Sequence, residues 1–477
     1  MNYQEALAYL YSLSDFERSG QYTRNREENL PREAWLLEQL GNPQHDFTST
    51  LIAGTKGKGS TAAFIERVLR QAGHRTGLYT QPDLHTFRER IRVNGQLISE
   101  QAMSELMTEI RTVVERIQQQ KKFGPFITYE VATALSLLYF SRQHVQHAVL
   151  EVGLGGRLDA TNVTEPLVSV ITSISYDHMQ ILGDTLTSIA TEKAGIIKPG
   201  GLVVTSAQSP EALLAISTVC QRQHARLVRV GRVGPAGDDP AQAEVKIGLL
   251  PALSYTYRLE RRTVDRQYFT IWSPAHTYTN LEIPLLGEHQ LENATTALAT
   301  LEQLRERDIQ WDEEALRAGF RAMRWSARIE VIGHTPTVVV DGAHNADSIQ
   351  KLLQALRSSF TYHRLITVLG PARDKDLVGM ARALADSDIV VLTRMANPRA
   401  ATIEQLESVF AQHAPDVRIY TAETSSQAMN LALDLADDND LVCATGSLYL
   451  AAEVLRWSAH YGNKAIASAI EGIDHEP

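Results

Sequence analysis

The stretch Leu51-Ile52-Ala53-Gly54-Thr55-Lys56-Gly57-Lys58-Gly59-Ser60 carries a short apolar run into a glycine-rich turn, and the segment behind it has Ala62, Ile65, Val68, Leu69 and Ala72 on one face. Strand, glycine turn and helix in that order frame a phosphate-cradling loop. The glycines let backbone N–H groups approach the oxygens, and the helix N-terminus adds a partial positive charge. Lys58 then supplies the mobile cation and Ser60 a hydroxyl for magnesium. Gly59 stands between them, a departure from the strict P-loop pattern. The plain alternative is a tight connection between two elements.

Around this loop, residues from about 47 to 206 alternate short β-branched runs with helical patterns, which predicts a parallel sheet with covering helices. Expected strands are Leu51–Ala53, Thr76–Tyr79, Ala148–Val152, Val168–Ile174 and Leu202–Thr205, with helices over Tyr129–Phe140 and Leu186–Ala194. From Glu244 to Leu286 polar and apolar residues alternate, predicting antiparallel strands at the sheet's edge, and Leu291–Leu304 returns to helix. A second cycle follows Trp325, with strands Thr337–Val340, Leu365–Leu369, Ile389–Leu392, Arg418–Tyr420 and Leu441–Ala444 and helices Asp347–Leu356, Thr402–Phe410 and Ser425–Leu435. The fold class is therefore α/β: a P-loop-type central parallel sheet domain with antiparallel edge strands, then a smaller Rossmann-like domain. The boundary falls near residues 322–328, dividing the chain into 1–324 and 325–477, with the ligand site in the cleft between. The tail after Gly462 is polar apart from a short apolar stretch around Ile466 to Ile470.

A chain of 477 residues exceeds the size at which a single core keeps growing. Its 44% apolar and 21% charged residues are those of a soluble globular protein. The N-terminus shows no signal peptide pattern, and no run of about 18 apolar residues marks a membrane span. Cys220 and Cys443 are expected as buried free thiols. The expectation is a cytoplasmic monomer with no membrane partner. The formal charge of −10 argues against a protein that coats nucleic acid. Arg88, Arg90 and Arg92 alternate like one side of a strand and read as a solvated face.

In open α/β sheets ligands collect at the carboxyl ends of the strands. Glu151 interrupts the run Ala148-Val149-Leu150 there, ahead of Gly153-Leu154-Gly155-Gly156, where a carboxylate beside a phosphate loop suits magnesium. The alternative is a strand-end glutamate facing solvent. The next strand ends in Asp177-His178. Imidazole is an unusual magnesium ligand, so a metal held there should also tolerate manganese. Lys193 falls on the inward face of a helix that Asp184 can cap, with Leu186, Ile189 and Ala190. An inward lysine must snorkel, pair with an acid or lose its charge, and snorkelling is the expected outcome. In the second half, Val338-Val339-Val340 runs into Asp341-Gly342-Ala343-His344-Asn345, and Arg328 sits where a cation could cross the cleft.

Together Gly54 to Ser60, Leu150 to Asn162, Asp177-His178, Glu192-Lys193-Ala194-Gly195-Ile196 and Asp341 to Asn345 closely resemble folylpolyglutamate synthase and the bifunctional dihydrofolate synthase of the Mur ligase superfamily, in motif order, from near the N-terminus to about Arg456. That resemblance implies an ATP-dependent amide ligase. The carboxylate of a folate, or of dihydropteroate, attacks the γ-phosphate of ATP, and L-glutamate displaces phosphate from the acyl phosphate. It implies that Thr55, Gly57, Lys58, Gly59, Ser60, Asn293, Arg328, Asp341 and His344 bind ATP. It assigns Glu151, His178, Ser60 and the position of Gln81 to magnesium, expected as two ions. Lys193 would be carbamylated, becoming an anionic magnesium partner and joining Glu151 and His178 as a catalytic group. Thr128-Tyr129-Glu130 and Leu158-Asp159-Ala160 would touch dihydropteroate, the first segment matching loosely.

Two departures stand out. Gln81-Pro82-Asp83 replaces the family's Ser-Pro-His, leaving a carbonyl and a carboxylate for a metal. Ser326-Ala327 replaces Pro-Gly before Arg328, which should alter hinge stiffness more than chemistry. The rivals are another Mur-type amino-acid ligase, expected to carry a further domain ahead of the loop where only 53 residues precede Gly54, and a nucleotide-dependent switch that does not ligate.

Overall fold

Apolar runs without alternation suit a parallel sheet buried on both faces, and the runs around the glycine turn join one such sheet. In chain order its strands are β1 (Thr48–Ala53), β2 (Thr76–Tyr79), β3 (Ile91–Val93), β4 (Gln96–Leu97), β5 (His147–Glu151), β6 (Val168–Ile171), β7 (Leu202–Thr205), β8 (Arg226–Arg232), β9 (Leu253–Arg262), β10 (Gln267–Trp272) and β11 (Thr277–Ile283). Their spatial order is β11-β10-β9-β8-β7-β6-β1-β5-β2-β3-β4. The stretch from β9 to β2 is parallel. Antiparallel strands close both edges. The computed structural model describes residues 1–14, 26–232 and 252–461, so the expected strand pattern at 244–251 and the apolar stretch at 466–470 lie outside the described residues.

The second sheet contains β12 (Glu330–His334), β13 (Thr337–Val340), β14 (Leu365–Leu369), β15 (Ile389–Thr393), β16 (Arg418–Ala422) and β17 (Leu441–Thr445), in the order β12-β13-β17-β14-β15-β16. Of these strands, β12 alone runs antiparallel to its neighbour. Two α/β lobes, the first with antiparallel edges, are the architecture expected from the sequence.

Side chains alternate across β1: Leu51 and Ala53 face one core, Ile52 the other. On the Ile52 side lie helices Lys58–Gln71, Glu288–Arg305 and Glu313–Arg321. Phe64 of the first meets Phe320 of the third edge-on, ring centroids 5.1 Å apart. Helix Thr128–Arg142 is apolar nearly all round because it lies inside the other layer, between the sheet and helices Tyr3–Ser12, Asn29–Gln39 and Glu100–Gln118. The lobes touch through the loop after β2: Leu84 packs against the second lobe's core, and Arg456 Nη1 lies 3.1 Å from His85 Nδ1.

Three expectations need correction. The run Val168–Ile174 leaves the sheet at Ile171, because the following residues turn to hold the glycine loop: Thr55 N–H donates to Ser173 O at 2.8 Å, and Thr172 Oγ1 donates to Lys56 O at 2.8 Å. Arg88, Arg90 and Arg92 do not form one face of a strand. Phe87–Arg90 is a short 3-10 helix, and the three side chains are engaged by Ile98 O, Asp83 and the ring of Trp325 respectively. Helix Leu186–Ala194 is capped by Thr185, whose hydroxyl accepts from Ser188 N–H at 3.1 Å, and not by Asp184. Cys220 and Cys443 are buried free thiols, as expected.

Phe320 is fully buried against the helix that carries the glycine loop. Phe320→Ala should cost about 3–5 kcal/mol, visible as a lower urea midpoint for the first lobe. An unchanged midpoint would show that this aromatic contact does not anchor the helix.

Candidate active site

The loop between β1 and helix Lys58–Gln71 is built for close approach. Gly54 has φ +151°, and a Cβ there would sit 1.8 Å from Thr172 Oγ1. Gly57, at φ +88°, would drive a Cβ to 2.3 Å from Asn293 Oδ1. Only glycine lets the loop nest between these side chains. Asn293, on helix Glu288–Arg305, is thereby seated on the loop, its amide donating to Gln290 Oε1 at 3.0 Å. The first helical hydrogen bond runs from Thr61 N–H to Gly57 O at 2.9 Å, so the N–H groups of Lys58, Gly59 and Ser60 have no acceptor within the helix. Ser60 is buried. A Cβ on Gly59 would lie 3.2 Å from both Glu151 Oε2 and the Trp325 ring.

Glu151 is buried at the carboxyl end of β5 and does not face solvent. Its Oε2 accepts the N–H of Gln81 at 3.1 Å, and Lys58 Nζ lies 3.9 Å from Oε1. Lys58, Gly59, Gln81 and Glu151 are thus neighbours, as the sequence predicts. Asp83 is held elsewhere, by Arg90 Nε at 2.5 Å. Beside Glu151, Asp159 collects the hydroxyl of Tyr129 at 2.8 Å and the N–H groups of Gly153, Leu154 and Thr161 at 3.0, 3.1 and 3.0 Å. Burial still raises its carboxyl above the usual range against these bonds. Leu158 and Ala160 flank it, buried. Thr128 and Glu130 point inward: Thr128 donates to Leu10 O, and Glu130 pairs with the buried Arg32 and accepts Ile127 N–H. Both fasten the N-terminal helices to helix Thr128–Arg142.

Lys193 does not snorkel. It is buried, and Nζ donates to Gly54 O at 2.8 Å. Burial, with repulsion from Lys58, brings its amine down to about 7. His178 sits in the left-handed region, φ 50°, ψ 38°. Burial lowers its imidazole to about 4 despite Asp177, leaving it neutral at pH 7. Burial works to raise the Asp177 carboxyl, but the ammonium groups of Lys56 and Lys375 overcome this and keep it ionised. Among the described residues no three acidic, histidine or cysteine side chains cluster as a metal site. The expected donor set holds two such side chains, with a hydroxyl and an amide.

From the second lobe, Asp341 accepts the N–H of Ile329 at 2.9 Å and of Ala343 at 2.8 Å. Arg328 is near it, its Nη1 donating to Ala327 O at 2.9 Å and lying 2.7 Å from where a Cβ on Gly342 would sit. Burial raises the Asp341 carboxyl, opposed first by Arg328. His344 Nδ1 contacts Gly342 O at 2.9 Å, and Nε2 lies 3.0 Å from Lys56 Nζ on the opposite lobe. Burial holds the His344 imidazole down at about 3. Sequence reasoning passed over Lys56 and Lys375; for Lys56 the available signal was a second lysine within the glycine loop.

Two family profiles match the chain: Mur ligase middle domain over residues 98–301 and Mur ligase, glutamate ligase domain over 327–448. A probable bifunctional folylpolyglutamate synthase/dihydropteroate synthase of Halobacterium salinarum is 37% identical across 99% of this chain; the chain spans about half of that longer protein, 54%. The dihydrofolate synthase/folylpolyglutamate synthase of Bacillus subtilis is 33% identical, covering 89% of this chain and 94% of its own. The folylpolyglutamate synthase of Mycobacterium tuberculosis solved with ADP superposes with a TM-score of 0.82 at 31% identity, covering 100% of this chain and 99% of the other. With identity of this order across nearly the whole of both chains, the protein belongs to the dihydrofolate synthase/folylpolyglutamate synthase family of Mur ligases.

Proposed function

We propose that the protein is an ATP-dependent ligase that joins the amino group of L-glutamate to the carboxylate of a folate, and also to that of 7,8-dihydropteroate, through an acyl phosphate. One observation carries this reading: Lys58, Glu151, Lys193 and the Asp177-His178 pair surround one glycine loop, and His344 of the opposite lobe reaches its Lys56. In this reading Thr55, Gly57, Lys58, Gly59, Ser60 and Asn293 cradle ATP phosphates, with Arg328, Asp341 and His344 completing the nucleotide site. Lys58 offsets charge on the transferring phosphate, which asks for positioning and neutralisation more than for a covalent nucleophile. In the same reading Tyr129 and the Leu158-Asp159-Ala160 turn would orient a pterin, which the Tyr129 hydroxyl donating to Asp159 at 2.8 Å supports. Thr128 and Glu130 contribute by holding the helix that presents Tyr129.

The donors Glu151, His178, Ser60 and Gln81 fit a hard cation that fills its shell with phosphate and water, and the neutral imidazole allows manganese as well as magnesium. Such a cation would supply positive charge opposite phosphate oxygens. We divide the chain into domains 1–324 and 325–477, supported by the absence of any strand shared between the two sheets among the described residues. We place it in the cytoplasm as a monomer. The two buried free thiols suit a reducing compartment, and among the described residues no helix is long and apolar enough to cross a membrane.

Incubation with ATP, magnesium and L-glutamate, separately with dihydropteroate and tetrahydrofolate, should give products heavier by glutamyl residues, read by mass spectrometry. ATP cleavage that proceeds without acceptor or glutamate would sink the ligase reading. Product from tetrahydrofolate alone would remove the dihydrofolate synthase half.

Glu151→Gln keeps an acceptor for Gln81 N–H but removes the charge. It should lower kcat by about 100-fold or more, measured by phosphate release, with melting unchanged. A loss under threefold would take Glu151 out of the chemistry.

Lys193 can accept carbon dioxide only as the neutral amine. Its value lies near 7, so the neutral fraction rises about tenfold from pH 6 to pH 8. Enzyme stripped of carbon dioxide should therefore regain activity faster as pH rises, at fixed dissolved gas. Recovery that ignores pH, or that persists in Lys193→Met, would refute carbamylation.

A further inference from the structure

We propose that Lys56 is a positioning residue that couples the second lobe to His178. The contacts form a continuous chain. His344 Nε2 lies 3.0 Å from Lys56 Nζ, Lys56 Nζ donates to Asp177 Oδ2 at 3.0 Å, and Asp177 Oδ1 accepts the N–H of His178 at 3.0 Å. An ammonium has donors only, so His344 Nε2 must be the acceptor and its Nδ1–H the donor to Gly342 O. This fixes the neutral tautomer and ties the relay to the backbone of the second lobe.

The two lysines of the glycine loop therefore divide the work. Lys58 lies beside Glu151, whereas the Lys56 ammonium is engaged by Asp177 and His344. At the far end, His178 adopts a left-handed conformation, uncommon for a residue with a Cβ although histidine enters it more readily than most. Its carbonyl is held by the N–H groups of Ile181 and Leu182, and its own N–H by one oxygen of the Asp177 carboxylate, whose other oxygen Lys56 fixes. When the second lobe withdraws, His344 leaves and Lys56 loses an anchor. The orientation of His178 then follows the position of the second lobe through two intervening side chains, Lys56 and Asp177.

The inference rests on the reading of His178 as a metal donor, so the test separates the two. Mn2+ is titrated into the full chain with a non-hydrolysable ATP analogue, and free Mn2+ is read by electron paramagnetic resonance, with thermal melting of each variant alongside. Lys56→Met should weaken Mn2+ binding about 10- to 100-fold, as loss of an orienting partner does. Lys56→Arg should restore part of it, and Lys56→Met should weaken binding less in a His344→Ala background than in the unaltered chain, because Lys56 there has only Asp177 left to hold. Where Lys56→Met lowers the melting temperature, Lys56→Gln takes its place. If His178→Ala leaves Mn2+ affinity unchanged, the metal reading has failed and the relay has lost its endpoint. If His178→Ala weakens binding but Lys56→Met does not, or if the Lys56 and His344 effects add, the relay alone is overturned.

Discussion

A loop that turns N–H groups toward an anion must bury carbonyl oxygens behind it, and each buried carbonyl needs a donor. Here the donors come from motifs more than a hundred residues away. Gly54 O takes the amine of Lys193, Ala53 O the N–H of Thr172, and Lys56 O the hydroxyls of Thr172 and Ser173. The segment that supplies Thr172 and Ser173 continues directly into Asp177-His178. The helix that supplies Lys193 begins a few residues later. Supporting the loop and delivering the polar groups of the site are one structural act.

The same packing concentrates positive charge. Lys56, Lys58 and Lys193 converge, opposed by Glu151, Asp177 and Asp159, and burial with mutual repulsion pulls down the amines of Lys56 and Lys193. A polyanion entering the loop would relieve this repulsion, which favours a triphosphate over a neutral ligand. Lys193 can lose its charge without loosening the loop, because a neutral amine still donates to Gly54 O. A carbamate on that nitrogen also keeps one N–H, so the proposed modification removes a repelling cation while leaving the supporting bond available.

Most strands of both sheets were legible, because parallel strands buried on two faces are uninterrupted apolar runs. Apart from the helix cap at Thr185, the misreadings share a cause: local pattern was overruled by partners outside the segment. Residues 172–174 look like strand and serve the loop. Lys193 looks like a snorkelling side chain until Gly54 O is in place. Arg88, Arg90 and Arg92 look solvated until Asp83 and Trp325 arrive. Glu151, Lys58 and Asp341 could be picked out because strand ends in α/β folds gather ligands. Lys56 offered only the weaker signal of a second lysine in the glycine loop, since its importance lies in a histidine 288 residues away.

The second lobe's entry carries its own constraint. Ala327 and Ile329, on either side of Arg328, take φ of 57° and 49°, at a cost of roughly 1–3 kcal/mol each. A β-branched residue in this region is the more unusual of the two. Gly342 N–H bonds Ala327 O at 3.0 Å, and Asp341 Oδ2 holds Ile329 N–H, so the conformation that aims Arg328 is imposed by the strand end opposite. Asp341 is therefore both brace and candidate nucleotide contact. Each carboxylate oxygen has a second lone pair, so a ligand hydroxyl donating to Asp341 would add to the brace without displacing it. Binding there would stiffen the strained turn in the conformation it already has, holding Arg328 at the cleft.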